Sequence, residues 1–429
     1  MSTVDRTKAP AVSTTGKIVL KDETAETVSS GIDLHVVDSG DQDLARLTLL
    51  WDGGTLDADR QSLPMFVTEG MREGTAHTSG DDIADALDFA GARLSSRVSE
   101  HHTGIELMAI NRKLPGLLPL LREMILEPAF GPTTVAMWAR NAAGALATKM
   151  AKVSYHASLA ATRAIKGACH PASQTETPES IMATDRNDVL QTHRRFIGSG
   201  HMHAYLAGKL DADTIRAVRM FLESLPAPSG TSPIVIMPDS PAAPSRIDIN
   251  VDDAVQSAIM MAMPAIPRSH PDYIALRLAI IALGGYFSSR LMTNIREEKG
   301  LTYGINSCLL GSFEGSQVRI GAQCDPANVE QVIEETKAEI TRLWTEPLTA
   351  DELRRLQLNA WTSLASTTDS PFTTADYYIV RLEVGTAPDY FDRQLHEIAS
   401  LTPQRIAEVA RRHLDSSRLT VAVAGQSRK

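Results

Sequence analysis

Only three of the 429 residues are cysteine, and aromatics make up 5% of the chain. Cys169, Cys308 and Cys324 are odd in number and show no knuckle spacing. This excludes a disulfide framework or a cysteine-built metal knuckle and points to reduced thiols. No apolar run reaches membrane-spanning length, and the opening MSTVDRTKAPAVSTTGKIVL is polar, so a cytoplasmic protein is expected, with residues 1–20 as a loose tail. Positive charge is also in short supply. Lys and Arg number 42 against 52 Asp and Glu, a net charge of -10, and phosphate binding needs a concentrated basic surface; no nucleic-acid or membrane partner is expected. What is present, 43% hydrophobic and 22% charged residues, suits a globular chain long enough for two or three domains.

The two halves repeat a set of landmarks in the same order. Leu114, Leu117, Leu118, Leu121, Met124 and Ile125 mark a helix with one buried face, ending at Glu127-Pro128. Val329, Val332, Ile333, Thr336, Ile340 and Leu343 repeat it, ending at Glu346-Pro347, where proline stops each helix. A helix opened by Thr184 then runs to His193-Arg194-Arg195 and is followed by strand-like His203 to Gly208. Its counterpart is opened by Thr402, reaches Arg411-Arg412-His413 and is followed by Thr420 to Gly425. The distance from Glu-Pro to Ala-Gly is 81 residues in one half and 79 in the other.

Between the halves, the Pro/Ser/Gly-rich stretch 226–245 reads as a linker with a short strand inside it. Leu47, Leu49 and Trp51 alternate with other residues, as do Ile247, Ile249 and Val251, and Val318, Ile320, Ala322 and Cys324. Period-two patterning of this kind predicts sheets with one face buried and one exposed. Strands and long helices mix without a strict βαβ rhythm. The fold class is therefore α+β, with each half an antiparallel-rich sheet covered by helices.

Several polar clusters carry ordinary readings. Asp81-Asp82 is expected to cap a helix, and Glu69, Arg72 and Glu73 to form a solvated or ion-paired face. Gly284-Gly285 is expected to end the apolar helix beginning near Ile274. His101, His102, His156, His170, His201 and His203 are the candidate metal ligands. On a strand His101 and His102 point to opposite faces; His201 and His203 share a face but have no third ligand at suitable spacing.

The second half reads Gln256 to Pro264, then His270-Pro-Asp-Tyr, Leu283-Gly-Gly-Tyr-Phe-Ser-Ser-Arg-Leu291 and Ile295-Arg-Glu-Glu-Lys-Gly-Leu-Thr-Tyr303. This succession resembles the C-terminal domain of the pitrilysin/insulinase metallopeptidase family, which includes the mitochondrial processing peptidases. The likeness runs from about residue 30 to 425. It implies an N-terminal peptidase-like domain over 21–225 and a C-terminal one over 246–429. In that family a helix of the first domain carries His-x-x-Glu-His, two imidazoles binding zinc with a glutamate as general base, and a later helix supplies a third, carboxylate ligand. Here the three motif positions fall on Met65, Thr68 and Glu69, and the third ligand near Ala145 or Leu146. Arg296 and Tyr303 match the family's substrate-binding Arg/Tyr pair.

The resemblance therefore implies a chain with no metal or other cofactor of its own. It would be the non-catalytic, substrate-binding subunit of a heterodimeric zinc metalloendopeptidase, with the zinc in a homologous partner. The implied substrate is a peptide, such as a small precursor of the pyrroloquinoline quinone kind. The alternatives are a structural subunit of a larger complex, a stand-alone peptide-binding pseudo-peptidase, or a hydrolase using other ligands.

Overall fold

The computed structural model describes Thr7, residues 17–313 and residues 315–426. Most of the expected loose tail thus lies outside the described residues, whereas Ile18 and Leu20 pack against the apolar core. The first sheet holds β1 (Thr24–Thr27), β2 (Asp33–Asp38), β3 (Leu44–Asp52), β4 (Arg93–Val98), β5 (His102–Ile110) and β6 (Met202–Gly208), in the order β1-β2-β6-β3-β5-β4. The second holds β7 (Arg246–Asn250), β8 (Ser257–Ala265), β9 (Thr302–Gly311), β10 (Ser316–Cys324) and β11 (Thr420–Gly425), in the order β7-β11-β8-β10-β9. The order β2-β6-β3-β5-β4 is thus repeated with every label raised by five, and β1 is an added edge strand. In both sheets the last strand of the repeat slots in beside the first, giving the parallel pairs β2/β6 and β7/β11. The other pairings are antiparallel, as an antiparallel-rich α+β fold requires.

The helices of the first half are α1 (Leu63–Gly70), α2 (Gly80–Ala90), α3 (Leu114–Leu126), α4 (Pro132–Met150), α5 (Val153–Lys166), α6 (Pro178–Met182), α7 (Arg186–Phe196) and α8 (Ala212–Glu223). Those of the second are α9 (Tyr273–Gly284), α10 (Val329–Thr345), α11 (Ala350–Ala365), α12 (Pro371–Glu383), α13 (Tyr390–Ser400) and α14 (Pro403–His413). The helices α3 and α10 end where the Glu-Pro pairs stop them. Thr402 caps α14 as expected, but α7 is capped by Asp185 rather than Thr184. The Asp185 carboxylate accepts from the Asp188 N–H in a capping box. Likewise Ser79, not the Asp81-Asp82 pair, caps α2; both aspartates sit in its first turn, facing the positive end of the helix dipole. The helix α9 ends at the expected glycines, and close packing keeps Gly284 without a side chain: a Cβ there would lie 2.7 Å from Ser307 Oγ.

Two expectations fail. Residues 226–245 contain no strand; they run along the first half through single hydrogen bonds, such as Ser240 N–H to the Lys166 carbonyl and Ala242 N–H to the Ala164 carbonyl. Nor do the sheets keep one face in water. From Ala45 to Trp51 every residue of β3 is buried, and β11 is buried throughout. The cause is an exchange of covering helices. The first-half helix α5 lies on the second sheet, its Ala157, Ala161 and Ile165 meeting Ala258, Ala262, Ala422 and Ala424. Its counterpart α12 lies on the first sheet, where Ala375, Tyr378 and Ile379 meet Val37, Leu50, Tyr205 and Ala207. A further apolar cluster fills the opposite face of each sheet. Small alanines on both sides of the α5 seam let helix and sheet approach closely. Arg319 of β10 locks the seam by donating to Ser158 Oγ (3.3 Å) and Thr162 Oγ1 (2.6 Å) of α5.

Candidate functional site

The degenerate motif occupies α1, whose first turn accepts Pro64 because that position lacks an intrahelical N–H bond. The entry to α1 is held by Glu176, whose carboxylate accepts from the Ser62 N–H and Oγ–H, each at 2.8 Å. Met65 is exposed. Thr68 is only 1% exposed, and its hydroxyl donates back to the carbonyls of Met65 (3.1 Å) and Pro64 (3.3 Å). Glu69 is half-buried and accepts from Ser96 Oγ (2.8 Å) and the Arg72 guanidinium (3.4 Å), the ion-paired face expected of this stretch. Ala145 and Leu146 of α4, with Gln61, Ser62 and Glu176, line a cleft of 460 Å³ between α4, α5 and the start of α1. Zinc requires imidazole, thiolate or carboxylate donors in tetrahedral array. A thioether, a back-bonded hydroxyl, one engaged carboxylate and two aliphatic side chains do not fit it, so no metal-dependent step is derived at this site. Glu176 is a cleft carboxylate that sequence reasoning missed; it comes from the loop before α6, at no motif spacing from α1.

The histidines are likewise spent on structure. His101 Nδ1 lies 3.0 Å from the buried Asp57 carboxylate. His156, His170 and His201 each bring Nε2 to a backbone carbonyl, of Met150, Met237 and Gly230 respectively. His102 is buried and His203 half-buried in the first sheet, and desolvation holds both imidazoles below their ordinary pKa, His102 down to about 4. Among the described residues, one trio has ligand atoms within 4.8 Å of one another: His270, Asp272 and His413. The Asp272 carboxylate accepts from Arg405 (3.0 Å), Arg412 (2.7 Å) and His413 (2.8 Å). Burial raises its pKa, but these bonds outweigh burial and keep it ionised well below the usual carboxylate range. Two guanidiniums on the carboxylate oxygens make the trio a structural ion cluster joining α9 to α14.

Arg296 and Tyr303 are brought together as the spacing suggested. Arg296 lies in a π-helical turn, Met292–Glu298, a geometry that often marks functional positions. That turn is pinned to α10 by Asn294, which donates to Glu339 (2.6 Å) and Glu335 (3.1 Å). The Arg296 guanidinium lies 5.5 Å from the ring centroid of Tyr303 and 4.8 Å from that of Phe287. The two rings are 91% and 62% exposed, and no carboxylate pairs with Arg296 among the described residues. An aromatic-flanked guanidinium beside a free phenol is a set of hydrogen-bond donors with no internal acceptor. Tyr303 is the second residue of β9, an edge strand of the second sheet, and lines a 550 Å³ groove with Asn306, Gln323, Met260 and Ser154 of α5. Tyr155, Ser158 and Leu159 of the same helix line the cleft beside α1, so α5 borders both. Phe287 was not singled out from sequence; it sits in the family-like Gly-Gly-Tyr-Phe string, and only the π-helical turn carries Arg296 to its ring.

The fold is a duplicated sheet-and-helix pair, and Met65, Thr68 and Glu69 on α1 offer no set of zinc donors. Residues 183–359 match the family model described as the peptidase M16 inactive domain. Over that stretch the chain is similar to this family. It is 24% identical to an uncharacterised zinc protease of Streptomyces coelicolor over 354 residues, covering 79% of this chain and 75% of that protein. It is 21% identical to a non-peptidase homolog, YmxG, of Helicobacter pylori, with 88% of each chain covered. A solved peptidase M16 inactive domain from Pseudomonas fluorescens superposes with a TM-score of 0.85 at 20% identity, over 95% of this chain and 99% of that one.

Proposed function

We propose that this chain is the non-catalytic subunit of a heterodimeric zinc endopeptidase. A homologous partner would supply zinc, its ligands and the general base, and this chain would supply Arg296, Tyr303 and part of the substrate-binding wall. One observation carries the reading: the donor set for a peptide carbonyl is open to solvent on a chain whose zinc-motif positions hold no ligands. A guanidinium and a phenol suit the oxygen of a scissile carbonyl, which gains negative charge in the tetrahedral state. The open edge of β9 beside Tyr303 suits an extended peptide added as a further strand. A short precursor peptide, such as that of pyrroloquinoline quinone, is the substrate class the reading favours.

The experiment mixes this chain with a zinc-bearing homologue from the same organism and follows peptide cleavage. Cleavage is expected only with both chains present, and Arg296→Ala and Tyr303→Phe should each slow turnover at least tenfold. Unchanged turnover in both variants would remove the supporting role.

A further inference from the structure

The cleft beside α1 has a twin in the second half. Its lining residues Ala142, Ala145, Leu146, Lys149, Leu159 and Thr162 have counterparts 218 residues further along the chain. These are Ala360, Ser363, Leu364, Thr367, Tyr377 and Val380, and all six line a second cavity, of 380 Å³. It lies between α9, α11, α12 and α13, with Arg268 and Leu309 closing one side, and its volume is that of a small-molecule site. In this half the duplicated cleft has acquired a different lining.

Its walls are mixed, with an aliphatic side formed by Ile274, Leu278 and Ile281 of α9 with Leu364 and Ile398. Set into them are polar groups that the fold does not use. The hydroxyls of Tyr377 and Tyr390 and the Nε of Arg268 are buried with no hydrogen-bond partner among the described residues, and Tyr390 as a whole is 5% exposed. The Arg268 guanidinium lies over the Tyr273 ring and, among the described residues, donates only to the Gly311 carbonyl, at 3.3 Å. Arg277, exposed on α9, also has no carboxylate partner among the described residues, whereas Arg381 is paired with Glu23. No Asp or Glu lines the cavity. Buried donors without acceptors are costly, and native folds leave few of them. Here three such groups belong to residues lining one chamber, beside two guanidiniums with no carboxylate partner among the described residues.

We propose that this cavity binds a small apolar carboxylate. The hydrocarbon body packs on α9 and α11, and the carboxylate accepts from Tyr377, Tyr390 and Arg268, with Arg277 supplying further positive charge. The site is separate from the Arg296/Tyr303 surface and stands whether or not the chain pairs with a peptidase.

Isothermal titration of the full chain with sodium octanoate and with 1-octanol tests this. Octanoate should bind one per chain, and octanol, with the same body and no charge, at least about tenfold more weakly. Tyr377→Phe and Tyr390→Phe keep the rings and should each weaken octanoate by about tenfold while leaving octanol unchanged. Leu159→Tyr, in the first-half cleft, should leave octanoate binding as it was. Should the tyrosine variants fail to fold, exposed Arg277→Gln tests the same point and should weaken octanoate alone. Absence of binding at millimolar octanoate would overturn the proposal. So would equal affinity for acid and alcohol, or octanoate binding indifferent to all of these substitutions at Tyr377, Tyr390 and Arg277.

Discussion

Arg46 of β3 donates twice to the carboxylate of Asp376 on α12, at 3.0 and 3.2 Å, across 330 residues of chain. The guanidinium is buried and also reaches the Phe372 carbonyl at 2.8 Å, so this pair fastens a second-half helix onto the first sheet. Losing the partly exposed Asp376 carboxylate leaves the buried guanidinium with the more distant Glu106, at 3.6 Å, and the Phe372 carbonyl. Asp376→Ala should therefore lower stability by about 2 kcal/mol, read from urea unfolding. Arg97, which contacts the same carboxylate at 3.1 Å from a more exposed position, should cost under about 1 kcal/mol as Arg97→Ala. Equal losses would contradict the assigned role of Arg46.

The α5 seam predicts sensitivity to size. Ala161 is fully buried against Ala262 and Ala422, with no room for a longer side chain. Ala161→Leu should cost about 2 kcal/mol by overpacking and lower the thermal midpoint, with earlier proteolysis in 226–245 as α5 lifts from the second sheet. A variant as stable as the parent would mean the seam is loosely packed.

Acid should weaken the fold through His102. Burial favours its neutral form, with Asp52 opposing, so the folded imidazole titrates near 4 while the unfolded chain takes up the proton near 6.5. Unfolding thus binds a proton in that window. Stability present above pH 6.5 is lost as the pH falls toward 4, by on the order of 3 kcal/mol. His193 and His203, also lowered mainly by burial, act in the same direction. Denaturation midpoints between pH 7.5 and 4.5 should fall less steeply in His102→Gln; an unchanged slope would assign the acid sensitivity elsewhere.

Zinc content gives a direct reading of the α1 site. After equilibration with micromolar zinc and desalting, the purified chain should carry well below one metal per chain, since Thr68 and Glu69 are engaged within the protein. One tightly held zinc, lost on Glu69→Gln, would restore an independent hydrolase as the leading reading.

Much of the architecture was legible in the amino-acid order. Helix-period runs stopped by Glu-Pro, and strands ending in Ala-Gly, recur at matching distances, and local rules place them within a residue or two. The missing ligands at Met65, Thr68 and Glu69 were also readable, because a side chain's donor chemistry is fixed by its identity. Small slips, such as Thr184 for Asp185, came from choosing between adjacent residues that are both good N-caps, a choice the local backbone conformation makes.

The sequence alone determined the duplication and the α+β class, since each depends on residue identity and local spacing. Only the tertiary structure decided that α5 and α12 exchange sheets, that Phe287 flanks Arg296, that Glu176 holds the start of α1, and that a twin cavity gathers Arg268, Tyr377 and Tyr390. These contacts join residues that share no sequence period. They form because every sheet face and helix stripe must be covered, and the surface that covers it can come from anywhere in the chain.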